Sequence, residues 1–146
     1  MARFAILLFA ALVMTGIGHA AAVPPPLVAA VAQLDTSAND SLTVAHAFFD
    51  HAADTQAAWV LVRDVATFRS QARTLVNLVA GANPHLDVAR NFVKNLEAIA
   101  GRVDKLLADP ATVPAADSQA LVASWTKTKA DLAKVAALLP APPTHP

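Results

Sequence analysis

His46, Asp50, His51 and Asp54 fall within the stretch HAFFDHAAD. Imidazoles and carboxylates are the side chains that ligate first-row metals or move protons near neutral pH. On a helix His46 and Asp50 stand one turn apart and Asp54 one turn further, so two ligands can be offered at i and i+4. The helical wheel then separates them. Asp50 and Asp54 lie about 40° and 80° round from His46, and the apolar positions Leu42, Ala45, Phe49 and Ala52 are centred about 90° to the other side. His46 sits at a boundary, while Asp50, Asp54 and especially His51 point to water. His51 lies more than about 90° from His46, so the two imidazoles do not converge. His85 opens a later helix, on the order of 25 Å away by helix rise. The expectation is a solvated helix edge with His–Asp contacts at i+3 and i+4, and no metal site.

Other chemistry is short of parts. The chain has no cysteine and no tyrosine, and its only methionines are Met1 and Met14. Covalent haem through C-x-x-C-H is excluded, and soft thiolate or thioether copper ligands are missing after residue 20. Ser37, Ser41, Ser70, Ser118 and Ser124 belong to no nucleophile motif, and Glu97 is the only glutamate. Asp87 and Asp104 are expected as surface partners of Arg90 and Lys105. Trp125 falls on an apolar stripe and is expected in the core; Trp59 lies off-stripe and is expected to cover the bundle end. No catalytic, cofactor-binding or metal residue is assigned, no cofactor is implied, and the chain is not expected to be an enzyme.

Charge adds one feature. Lys and Arg total 11 against 11 Asp and Glu. Such a balance argues against a nucleic-acid partner, which calls for a basic excess. From Val23 to Val62 there are four aspartates, Asp35, Asp40, Asp50 and Asp54, and no Lys or Arg. The expectation is that this acidic first helix pairs with its basic neighbours inside one bundle; the functional alternative is a dipolar surface that docks a protein partner.

The elements that must position these groups begin after MARFAILLFAALVMTGIGHAAAVPPP. Arg3, the uncharged run Phe4 to Ile17, and Gly18 and Ala20 ahead of the cut form the pattern of a secretory signal peptide, cleaved after Ala20 or, as second choice, after Ala22. The run is shorter than the roughly 20 residues a spanning helix needs, so no integral membrane segment is expected after cleavage; an uncleaved anchor is the alternative. No cysteine follows it for lipid attachment. Secretion, or a periplasmic location, is the resulting expectation.

Beyond it, apolar residues recur in steps of three and four: Leu27, Val31, Leu34, Ala38, Leu42, Ala45, Phe49, Ala52; then Leu61, Val65, Phe68, Ala72, Leu75, Val79; then Leu86, Ala89, Val93, Leu96, Ala100, Val103, Leu107; then Leu121, Trp125, Thr128, Leu132, Val135, Leu139. Each is the stripe of an amphipathic helix. The first stripe, continued past Ala52, falls on polar positions, so a turn is expected near Asp54 to Ala58 with Asp54 or Thr55 as N-cap; one helix over 41–80 is the alternative. Gly81 with Pro84, and Pro110 with Pro114, punctuate the rest. Helices over 27–54, 58–80, 84–108 and 115–139 predict an all-α, up-down-up-down four-helix bundle. The organisation read is a signal peptide over 1–20, a Pro-rich lead-in over 21–26, the bundle over 27–139 and a Pro-rich tail over 140–146. The expected role is binding or envelope structure, with a periplasmic small-ligand or metal carrier as the alternative.

Overall fold

The computed structural model describes residues 23–141. The proposed signal peptide and the tail beyond Ala141 lie outside the described residues. Four helices and no strand occur among the described residues: α1 (Pro25–Phe49), α2 (Thr55–Ala80), α3 (Leu86–Ala108) and α4 (Ala115–Leu138), an arrangement consistent with a four-helix bundle. No helix among them is long and apolar enough to cross a membrane.

Helix α1 starts on Pro25 and Pro26, where a missing N–H costs nothing. Its polar run DTSANDS is helical throughout, and the hydroxyls of Thr36 and Ser37 are satisfied there by donating to the carbonyls of Ala32 and Leu34. The expected end at residue 54 is corrected: the helix stops at Phe49, with the backbone N–H groups of His51 and Ala52 closing three-residue turns onto Phe48 and Phe49. The turn therefore occupies 50–54 rather than 54–58, and the single helix over 41–80 is excluded. Asp54 is the N-cap of α2, its Oδ1 accepting from the N–H groups of Gln56 and Ala57, both at 3.0 Å. Those bonds draw Thr55 to Ala57 into the helix, which moves the turn upstream.

Gly81 ends α2 in an extended conformation, where a Cβ would lie 2.5 Å from the Asn77 carbonyl oxygen. Glycine is needed there for close approach, not for a left-handed φ. The third helix begins at Leu86, two residues later than expected, and ends at Ala108; its C-cap Asp109 accepts on Oδ1 from the Ala111 N–H at 2.9 Å.

The core contains the expected Leu61, Phe68, Leu96, Val103, Trp125 and Leu132, all buried. Phe68 and Trp125 meet edge to face at its centre, ring centroids 5.0 Å apart. The first stripe needs correction. Ser41 and Phe48 are buried, whereas Leu42 and Phe49 are partly buried and pack against the core from outside. The core-facing series is 27, 31, 34, 38, 41, 45 and 48, an unbroken alternation of fours and threes.

Helix α1 packs against α2 and α4, and α3 against α2 and, most sparsely, α4. The pairs Ser37–Thr128, Ser41–Ser124 and His51–Asp117 advance along α1 as they retreat along α4, so these two helices are antiparallel.

Candidate functional site

HAFFDHAAD divides between a helix, a turn and a cap. His46 is exposed on the last turn of α1, Asp50 is exposed just beyond its end, and Asp54 caps α2. His51 therefore follows no helical wheel. Its Nε2 lies 3.2 Å from Asp117 Oδ1 in the first turn of α4, and its ring meets Phe48 edge-on with centroids 6.0 Å apart. The expected i+3 and i+4 pairing is replaced, at His51, by a contact between distant segments. Among the described residues no three His, Asp or Glu side chains gather where they could hold a metal ion. Beside the His51–Asp117 pair an open hollow of about 270 Å³ is lined by Val44, Ala47, Phe48 and Leu121 as well as the pair itself.

A second polar group lies inside. Ser41 Oγ is 2.8 Å from Thr128 Oγ1 and 2.9 Å from Ser124 Oγ, and Thr128 donates to the Ser37 carbonyl at 2.9 Å. Ser37, Ser41 and Thr128 are buried. One proton assignment satisfies every hydroxyl: Ser124 donates to Ser41, Ser41 to Thr128, and Thr128 to the carbonyl. Next to Ser41 and Trp125 is a partly open hollow of about 10 Å³, room for about one water and far below ligand size.

The third group is ionic. Asp64 is buried and accepts from Arg63 (Nε 3.3 Å, Nη2 3.1 Å) on one oxygen and from Arg102 Nε (3.2 Å) on the other. It ties α2 to α3. The sequence reading missed it, although Asp64 lies between Leu61 and Phe68 on the apolar side of α2, where an unpaired carboxylate would be costly.

Elsewhere several expected pairings change. Asp104 serves Trp125 and Lys129, accepting from the indole N–H at 3.0 Å and lying 2.8 Å from the ammonium, instead of pairing with Lys105. Arg90 donates to the carbonyls of Pro140 and Ala141 at 2.9 and 3.1 Å. Trp59 is 52% exposed and does not cover the bundle end. Trp125 is buried as expected, and the acidic first helix does reach basic neighbours, through Asp35–Arg73 at 2.9 Å and Asp40–Lys127 at 3.8 Å. Along the α3–α4 seam run three open hollows of about 190, 290 and 280 Å³. Asp131 is buried on α4 with Oδ2 unpaired, yet lines none of these hollows.

No protein-family model, curated protein or solved structure matches the chain.

Proposed function

We propose that residues 1–20 are a cleaved signal peptide, that the chain is secreted or periplasmic, and that the released up-down-up-down bundle has a binding or envelope-structural role without catalysis or a cofactor. Export is supported by the short uncharged run Phe4 to Ile17 followed by small residues. The structural role is supported above all by the way buried polar side chains are engaged in bonds between helices: Ser41 with Thr128, Asp64 with Arg102, and the Trp125 indole with Asp104. Such bonds stiffen a scaffold, and the carboxylates and hydroxyls held in them form no convergent catalytic set. A protein partner is the expected ligand class, with nucleic acid disfavoured by the even charge balance.

N-terminal sequencing of the native protein is expected to begin at Ala21. A start at Met1 or Ala2 would overturn export by cleavage.

The second reading, a small-ligand or metal carrier, has the hollow beside His51 and Asp117 in its favour. At about 270 Å³ and open, that hollow is just under the lower end of small-molecule sites. Calorimetry with zinc and copper(II), beside a His46→Ala, His51→Ala variant, separates the readings. Weak binding equal in both proteins fits the scaffold role. Sub-micromolar binding lost in the variant would make the carrier the leading function.

A further inference from the structure

One cluster does more than a scaffold requires. Asp64 is a single carboxylate, its side chain 8% exposed, and one guanidinium is enough to neutralise it. It holds two. Arg63 and Arg102 are each anchored through Nε, and their side chains remain 51% and 53% exposed. The Nη groups of Arg102 are engaged by no other described residue, so an N–H edge and one excess positive charge are held in place at the surface. Anchoring through a buried acid removes much of the ordering cost a free arginine meets on binding.

Beside this pair stands Trp59, the most exposed large apolar side chain among the described residues, with the Arg63 guanidinium 5.2 Å from its ring centroid. An indole left half in water beside the anchored Arg63 offers an apolar wall at one edge of an anion receptor. Two guanidiniums carry more N–H donors than one planar carboxylate accepts in a single fork, whereas a tetrahedral phosphate has oxygens for both.

We propose that Arg63 and Arg102, oriented by Asp64, form a binding site for a phosphate-class oxyanion, with Trp59 as the wall against which the group carrying the phosphate packs. Asp64 is a positioning residue in this site. The site does not depend on export or on a scaffold role. Its phosphate can come from a soluble phosphate compound or from a phospholipid headgroup, and the test has one arm for each.

In the first arm, inorganic phosphate is titrated into the native protein by calorimetry, against chloride at equal ionic strength. In the second, the protein is sedimented with phosphatidylcholine vesicles with or without phosphatidylglycerol. Saturable phosphate binding with a Kd of about 1 mM or tighter, weakened at least about tenfold in Arg102→Gln, is the result expected if the ligand is soluble. Sedimentation with the phosphatidylglycerol vesicles alone, weakened by both Arg102→Gln and Trp59→Ala, is expected if the headgroup is the source. Arg63 still neutralises Asp64 in Arg102→Gln, and the exposed Trp59 can be truncated without opening the core, so the two variants check each other for folding. No binding in either arm, or binding unchanged by Arg102→Gln, would overturn the proposal.

Discussion

Toward α1, helix α4 presents Ser124 and Thr128 to Ser37 and Ser41, in a seam where hydroxyls bond to one another and to a backbone carbonyl. Toward α3, the same helix presents Trp125, Lys129, Leu132 and Ala136 across a seam that leaves hollows of about 190 to 290 Å³. Both seams contain small residues, with opposite results. On the α1 side, small polar side chains allow close approach and then bond across it. On the α3 side, Ala100, Gly101 and Ala133 line one hollow beside Glu97, Asp104 and Lys129, and Ala136 lines the next beside Lys94 and Glu97, charged groups that favour water. A Cβ added at Gly101 would meet nothing within 4 Å. Small residues bring helices together only when something on the facing helix fills or bonds across the gap.

The one large core residue at the head of the α3-facing side gives the largest effect. Trp125 packs on Phe68 and donates to Asp104, so Trp125→Ala should cost about 3–5 kcal/mol in urea unfolding. A loss near the surface level of about half a kcal/mol would mean the α3–α4 seam contributes nothing through this residue. The hydroxyl seam comes next. Thr128→Val keeps the shape but removes the hydroxyl that pairs with buried Ser41 and gives the Ser37 carbonyl its second bond, for an expected loss of about 1–3 kcal/mol. Adding Ser41→Ala should cost less than its effect alone, because the first change has already broken the set; strict additivity would show the hydroxyls do not act together. The smallest effect has the opposite sign. Gly101→Ala, in a helix interior with open space above it, should raise stability by about 0.5–1 kcal/mol. A loss there would mean the α3–α4 seam closes in solution.

The same comparison explains what was legible in the sequence. Helices two to four were readable because their stripes are apolar, and the fourth stripe included Thr128 at its correct place. The first was misphased at one residue: Ser41 was passed over in favour of Leu42, which carried Phe49 into the core in place of Phe48. A serine on the core face has no apolar signal, and its reason for being there, Thr128, lies 87 residues away. Asp64 was missed for the same reason, since Arg102 is 38 residues distant. Asp54 was legible as a cap because its partners are its next neighbours in the chain, Gln56 and Ala57. His51 was not, because placing it on a helical wheel assumed that α1 ran on to residue 54. Chemistry formed within one turn can be read from spacing. Chemistry formed between helices needs the packing first.

Helix α1 is held by its neighbours on both sides, whereas α3 is bordered by the open seam. Native-state amide hydrogen exchange of the purified protein tests it most directly, since it ranks helices by the free energy of the opening that exposes them. The amides of α1 between Leu34 and Ala45 are predicted to exchange only through global unfolding, and those of α3 through smaller, partial openings. Protection of α3 equal to or greater than that of α1 would mean that the open seam does not loosen α3.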